Sequence, residues 1–192
     1  MSQPTVAAPH HEESAARLGI ILGGIAFFVA LVLSVVFSIT EPLIEMRAKE
    51  KEQRAFAALF PTATEFREAS EGDGELTTSA RLAYEGETLL GVVTEVHPRG
   101  YGGEISMLIG FDRDLAVTGI SFLSIGETPG IGSRVTEEPY LSQYIGQSDF
   151  SGVHGITGAS VSSKAIYSGV TAGAALAAET LSALPAEEVS SR

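Results

Sequence analysis

The distribution of apolar residues divides the chain into two differently patterned parts. Residues 18–39 read LGIILGGIAFFVALVLSVVFSI, an apolar run of 22 residues that contains no charge. A helix of that length spans about 33 Å, which matches the roughly 30 Å hydrocarbon core of a bilayer. No small-residue cleavage site follows the run, as it would in a signal peptide. The pattern therefore predicts a retained transmembrane anchor over residues 18–40.

Beyond the anchor, the pattern predicts a short helix, a loop and then a series of strands. Residues 41–60 read as a juxtamembrane helix that stops before Pro61, because the residue preceding a proline disfavours helical geometry. Residues 62–79 are mostly polar and contain glycines, which favours a loop. Strand-like runs follow at residues 81–84, 88–96, 105–111 and 116–124.

Short turns separate these runs, so we expect the strands to form an antiparallel meander. Residues 161–181 then form a long amphipathic segment, which predicts a helix packed across the sheet. The predicted fold class is α+β: an N-terminal transmembrane helix followed by a mainly antiparallel sheet with packed helices. The predicted organisation is a polar tail over 1–17, the anchor over 18–40, the juxtamembrane helix over 41–60, a folded domain over 61–185 and a frayed tail over 186–192.

Composition excludes several classes of function. The 192-residue chain has a formal net charge of −12, which argues against binding to nucleic acid, where lysine and arginine must neutralise phosphates. The chain has no cysteine, so it forms no disulfide, thiolate zinc site or iron–sulfur cluster of its own. Its histidines are dispersed except for His10 and His11 in the polar tail, and we predict no metal site.

The charges that flank the anchor bear on its orientation. Arg17 precedes it, whereas Arg47, Lys49, Lys51 and Arg54 follow it. Counted alone, these bases would keep the large domain in the cytoplasm, because positively charged flanks usually remain inside.

The segment most suggestive of a binding site is HGITGASVSSK, residues 154–164. Its glycines leave backbone N–H groups uncovered, and the predicted helix begins just after them. A helix N-terminus carries partial positive charge and unpaired donors, so it favours an anion such as phosphate. Taken alone, such a segment is more often an ordinary turn and helix cap than a binding site.

Two further glycine-bearing segments make the pattern specific. Residues 100–105 read GYGGEI, and residues 127–132 read ETPGIG. Together with the anchor and TGAS at residues 157–160, they resemble the FMN-binding domain of the G subunit of the Rnf ion-translocating electron-transport complex. They also resemble the related C subunit of the sodium-translocating NADH:quinone reductase. The resemblance implies that residues 61–185 form an FMN-binding domain.

In that family, FMN is esterified through its phosphate to the last hydroxyl residue of the motif, which is Ser160 here. The resemblance implies that Thr157, Gly158 and Ala159 form the turn that presents Ser160. The further residues that it implicates in binding the flavin are Glu127, Thr128, Gly130, Tyr101 and Lys164. The chain departs from the family pattern at His154, where relatives carry aspartate, and at residues 124–126, where relatives often carry a histidine and a basic residue.

Several of these residues have simpler interpretations. Glu127 could cap its own loop by accepting local amide hydrogens. Tyr101 could stack on the flavin ring or pack as an ordinary strand-start aromatic. Lys164, one helical turn beyond Ser160, could face the phosphate or the solvent.

The resemblance implies a redox relay that carries covalent FMN and is not itself the site of substrate turnover. Its partners would be the other membrane subunits, an FMN transferase and the lipid bilayer, and the complex would couple ferredoxin:NAD electron transfer to ion movement. The flavin domain would lie on the extracytoplasmic side of the cytoplasmic membrane, contrary to the flanking charges. A stand-alone electron carrier or a sensory module is the alternative. A serine hydrolase is disfavoured, because the chain lacks the G-x-S-x-G nucleophile elbow at Ser160.

Overall fold

The computed structural model describes residues 12–72, 76–130 and 132–185, with side chains described from residue 17 onward. The chain divides into two compact units, residues 1–47 and 48–192. The predicted tail over 186–192, and most of the tail over 1–17 with His10 and His11, lie outside the described residues.

The first element is a single helix, α1, which covers Glu12–Leu59 and contains Pro42. The segments predicted as anchor and juxtamembrane helix are therefore continuous in secondary structure. The hydroxyls of Ser38 and Thr40 donate to the carbonyls of Ser34 and Val36 at 3.0 and 2.8 Å, so each is satisfied within the helix. Among the described residues, α1 is the one helix long and apolar enough to cross a membrane.

The second unit is built on a five-stranded antiparallel sheet whose strands are arranged in chain order. The strands are β1 Glu65–Glu71, β2 Thr77–Glu85, β3 Thr88–Val96, β4 Ile105–Asp112 and β5 Val117–Ile125. The predicted α+β meander is confirmed, but the loop predicted over residues 62–79 is wrong. That stretch contains β1 and the start of β2 because an edge strand with polar side chains can pair on one side without the apolar alternation of a central strand.

Helices cover both faces of the sheet. The last helix, α3, covers Ser160–Ser182, and its buried Ile166 and Val170 pack with Val92 and Met107 of the sheet. This confirms the predicted helix across the sheet. The approach is close, since a Cβ on Gly169 would collide with the Met107 side chain.

The opposite face packs against the end of α1. Phe56 and Leu59 lie with Val93 and Leu108 in a second apolar cluster. Arg81 strengthens this contact, since it pairs with Glu52 at 2.5 Å and lies 5.0 Å from the centroid of the Phe56 ring. Strand β4 is therefore buried on both faces.

A short segment that the sequence pattern does not reveal connects β5 to α3. It contains a 3-10 helix, Gly132–Thr136, and a four-residue helix, α2, Glu138–Leu141. Tyr140 and Tyr144 are buried here, and their hydroxyls lie 2.9 Å apart. The hydroxyl of Tyr140 also donates to the carbonyl of Ser163 at 3.0 Å, so this segment holds the first turn of α3 in place.

Candidate functional site

The three glycine-bearing segments meet around one cavity. Ile105 at the start of β4 pairs with Ile125 at the end of β5, so the loop before β4 lies beside the loop after β5. The N-terminus of α3 completes the enclosure of a cavity of about 390 Å³, within the usual range for small-molecule sites. The cavity is lined by Tyr101, Glu127, Thr128, Gly132, Gly158, Ala159, Ser160, Val161 and Ser162.

Glu127 joins two of these loops. The residue is 9% exposed, and its carboxylate accepts hydrogen bonds from the backbone N–H groups of Tyr101 at 2.8 Å and Gly102 at 3.2 Å. Gly100 and Gly132 leave room for it, since a Cβ at either position would collide with a carboxylate oxygen. Glu127 therefore caps the neighbouring loop across the sheet end.

The turn before α3 is held by its own backbone and by a buried serine. Gly158 has φ +88°, which an L-residue rarely adopts. The N–H of Ala159 donates to the carbonyl of Ile156, and the N–H of Ile156 donates to Oγ of Ser163, both at 3.0 Å. These bonds fix the direction in which Ser160 leaves the turn.

The start of α3 supplies donors that the helix itself does not use. The N–H of Ser163 donates to the carbonyl of Ala159 at 2.8 Å, whereas the preceding N–H groups have no carbonyl one turn earlier to bond. Ser160 is the first residue of the helix and is exposed. Aligned peptide dipoles add partial positive charge at this end, so the site is suited to an anion next to a free hydroxyl.

Tyr101 supplies an aromatic surface beside these donors. It is 78% exposed, which is unusual for a large aromatic side chain. Its backbone is held by Glu127, so the ring projects from an anchored position. A planar aromatic ligand can stack on such a ring.

Of the nine residues that the sequence implicates, six line the cavity: Tyr101, Glu127, Thr128, Gly158, Ala159 and Ser160. The other three do not. Thr157 is an exposed residue of the preceding turn, and Gly130 donates its N–H to Oγ of Ser133 at 2.9 Å. Lys164 is exposed and forms no ion pair with a described residue.

His154 contributes to a different part of the surface. Its N–H donates to Oε1 of Gln143 at 2.9 Å, and its carbonyl accepts from Nε2 of the same side chain at 3.3 Å. It lines a separate groove that also contains Arg134 and Tyr140. Within residues 12–72, 76–130 and 132–185, no cluster of histidine and carboxylate side chains could hold a metal ion.

Sequence reasoning did not single out Val161 or Ser162, which also line the cavity. The start of α3 decides which serine of the SVSS segment faces the cavity, and the sequence pattern locates that start only approximately.

Residues 100–175 match the family model of the FMN-binding domain. This part of the chain is similar to that family. All the residues that line the cavity fall within the matched range. The resemblance to the FMN-binding domain family is therefore confirmed.

Individual relatives match a larger share of the chain than the family model does. The G subunit of a proton-translocating ferredoxin:NAD(+) oxidoreductase complex from Clostridium ljungdahlii is 24% identical over 155 residues, covering 75% of this chain and 81% of the relative. The G subunit of a Na(+)-translocating ferredoxin:NAD(+) oxidoreductase complex from Acetobacterium woodii is 27% identical over 180 residues, covering 80% and 87%. A crystal structure of Shewanella oneidensis NqrC superposes with a TM-score of 0.48 at 19% identity, covering 65% of this chain and 74% of that one.

Proposed function

We propose that this chain is the membrane-anchored flavoprotein subunit of an Rnf-type ion-translocating ferredoxin:NAD oxidoreductase complex. In this role it relays electrons through one FMN esterified to Ser160. The observation that carries the proposal is the exposed hydroxyl of Ser160 at the first residue of α3, inside the cavity of an FMN-binding domain. The relatives that match most of the chain are the G subunits of ferredoxin:NAD(+) oxidoreductase complexes, which supports the assignment to such a complex.

The lining of the cavity fits the two chemically different ends of FMN. The flavin ring is planar and aromatic, and Tyr101 offers an exposed ring on which it can stack. The phosphate is an anion that only accepts hydrogen bonds, and the start of α3 offers unpaired N–H groups and serine hydroxyls. Glu127 does not oppose the phosphate directly, because its carboxylate is engaged by Tyr101 and Gly102.

The residues of the chain have distinct tasks in this proposal. Ser160 carries the phosphoester, and the turn of Thr157, Gly158 and Ala159 presents it. Thr128 and Gly130 shape the facing loop, and Lys164 supplies positive charge one turn along α3. FMN supplies the redox chemistry, whereas the protein binds and orients it.

We propose that α1 anchors the chain by a single span in the cytoplasmic membrane, with the flavin domain on the extracytoplasmic side. The length and apolar surface of the helix support the span. The basic residues that follow the anchor favour the opposite side by the positive-inside rule. Protease accessibility tests the orientation. A domain on the extracytoplasmic side is expected to be cleaved in spheroplasts and protected in inverted vesicles, and the reverse result contradicts the proposed side.

Intact mass spectrometry tests the covalent bond. The full-length chain, produced with its FMN transferase, is expected to exceed its sequence mass by one FMN less one water, and Ser160→Ala is expected to remove that increment. Ser168→Ala is the matched control, because Ser168 lies further along α3 and bonds the carbonyl of Ala165 at 2.9 Å. A wild-type chain of unmodified mass would falsify the covalent assignment.

Co-purification distinguishes a member of a complex from a stand-alone carrier. A complex member is expected to be recovered from mild detergent together with the other membrane subunits. If the flavin-loaded chain is always recovered alone, the stand-alone carrier is favoured.

A further inference from the structure

His97 lies between two carboxylates at the end of β3. Its Nδ1 donates to Oε1 of Glu104 at 3.2 Å, and its Nε2 lies 3.3 Å from Oε1 of Glu95. The side chains of His97 and Glu95 are 27% and 22% exposed. From β2, the hydroxyl of Ser79 donates to the other oxygen of Glu95 at 3.3 Å. The two carboxylates approach different nitrogens of the ring, so the three side chains link β3 to the loop before β4 instead of converging on a common centre.

Only a protonated imidazole satisfies both carboxylates. A neutral imidazole has one N–H donor and one nitrogen that can only accept, whereas the imidazolium has two donors. An ionised carboxylate only accepts, so beside a neutral ring one of the two carboxylates faces a lone pair. Histidine is the side chain that ordinarily changes its charge between about pH 5 and pH 8. The link from Glu95 through His97 to Glu104 is therefore complete when the ring is charged and broken on one side when it is neutral.

The contact with Glu104 closes the base of the loop that carries Tyr101. The N–H of Ile105 donates to the carbonyl of Pro98 at 2.9 Å, which brings the two ends of this loop together. The N–H of Gly126 donates to the carbonyl of Glu104, also at 2.9 Å. His97 therefore acts where the loop before β4 joins the loop after β5, and both of these loops form walls of the cavity.

The other charged residues on the elements around His97 are engaged elsewhere or exposed. In the loop and on α1, which covers the same face of the sheet, they are Arg99, Lys51 and Glu52. Lys51 donates to the carbonyl of Leu123, and Glu52 pairs with Arg81. Arg99 is exposed and pairs with Glu104 through its backbone. The two glutamates are thus the charged groups in direct contact with the imidazole.

We propose that His97 is a positioning residue for the flavin site, and that it holds the loop of Tyr101 in place when its ring is protonated. It acts through Glu104 and does not line the cavity. When the ring loses its proton, one of the two contacts is lost and the loop opens away from Glu127 more often. The effect on the flavin rests on the proposed function, because it requires FMN beside Tyr101. The effect on the loop does not require FMN.

Hydrogen exchange of the full-length chain in detergent, without flavin, tests the effect on the loop. The amides of Tyr101 and Gly102 donate to Glu127, so their protection reports how often the loop opens. Their protection factor, taken relative to the intrinsic exchange rate at each pH, is expected to fall between about pH 5.5 and about pH 8.5. The expected fall is roughly two- to fivefold, as for the loss of one partly exposed ion pair. A constant protection factor over this range overturns the inference.

Three variants assign the change in protection to His97. His97→Gln has no titratable ring and is expected to abolish the pH dependence. Glu104→Gln is expected to weaken it, because a carboxamide can donate to a neutral ring as well as accept from a charged one. His154→Gln is the matched control, since His154 is exposed and lines a separate groove, and it is expected to behave as the wild type. A His97→Gln chain that keeps the wild-type pH dependence overturns the inference.

Flavin fluorescence tests the consequence for the site, because a stacked aromatic ring quenches a flavin. In the flavin-loaded chain, the fluorescence is expected to rise between about pH 5.5 and about pH 8.5 in the wild type and to stay constant in His97→Gln. A constant wild-type fluorescence beside a changing amide protection overturns the positioning of the flavin. A chain that carries no flavin contradicts the proposed function, whereas the exchange experiment still decides whether His97 holds the loop.

Discussion

The backbone N–H of Tyr101 donates to Oε1 of Glu127 over 2.8 Å, although 26 residues separate the two in the chain. The same carboxylate accepts from Gly102 at 3.2 Å. One buried side chain therefore fixes the loop that carries the exposed ring of Tyr101. Glu127 determines where an aromatic surface stands beside the start of α3.

Replacing Glu127 is expected to release this loop. Glu127→Ala leaves the amides of Tyr101 and Gly102 without their acceptor, which costs about 1–3 kcal/mol of unfolding free energy. Glu127→Gln keeps one acceptor oxygen and is expected to cost less. Urea unfolding measures the loss of stability in both variants. The control is Glu87→Ala, because Glu87 lies in the exposed turn after β2. Equal stability of Glu127→Ala and Glu87→Ala contradicts this role.

A side chain at Gly100 is expected to displace the Glu127 carboxylate. Gly100→Ala places a Cβ against Oε1, and such overpacking costs about 1–3 kcal/mol. Gly152→Ala is the matched control, because a Cβ there meets nothing within 4 Å.

The effects of Gly100→Ala and Glu127→Ala on the free energy of unfolding are also expected to be non-additive. Gly100→Ala should cost less in the Glu127→Ala background, because the colliding carboxylate is gone. Additive free energies in this double-mutant cycle would show that the two residues do not share a contact.

Gly158 is expected to tolerate asparagine better than alanine. Its φ of +88° strains any L-residue by about 1–3 kcal/mol, and asparagine visits positive φ more readily than alanine. Denaturant unfolding and flavin loading of Gly158→Ala and Gly158→Asn test this order. Wild-type stability in Gly158→Ala would mean that the turn does not need a positive φ.

Stability is expected to fall in alkali through the tyrosine pair. Burial raises the pKa of Tyr140 and, more strongly, that of Tyr144, where the neighbouring Tyr140 adds to the shift. The folded chain therefore keeps phenol protons that the unfolded chain releases above about pH 10. This contribution is fully present below about pH 10 and is lost as the pH rises through the folded pKa values.

The test compares the pH dependence of urea unfolding in the wild type and in Tyr144→Phe between about pH 9 and pH 11, on either side of the ordinary tyrosine pKa. Tyr144→Phe removes one of the two shifted groups, so its stability is expected to fall less steeply. Parallel curves for the two proteins would contradict the contribution of Tyr144.

The elements that the sequence predicts well are those with a strong local signal. Helix α3 begins at Ser160 and ends at Ser182, within one residue of the predicted 161–181, because its amphipathic pattern is long. Strand β3 has the predicted bounds Thr88–Val96, because turn residues flank it on both sides. Strand β1 was missed, because its pairing with β2 leaves most of its side chains exposed and polar.

The site depends on contacts that no local pattern encodes. The sequence left open whether Glu127 caps its own loop or contacts a ligand, but its carboxylate bonds the loop before β4. That partner follows from the register of β4 against β5. Ser162 was missed for a similar reason, since it is buried although the exposed Ser160 lies only two residues before it in the helix.

The packing of α1 determines where the chain can be cut. A soluble fragment that begins at residue 61 would lack Phe56 and Leu59, and it would expose Val93 and Leu108 of the sheet to water. A fragment that begins near residue 48 keeps this apolar face covered and retains the ion pair of Glu52 with Arg81. The last turns of the helix are thus part of the hydrophobic core of the second unit, and a water-soluble version of that unit must include them.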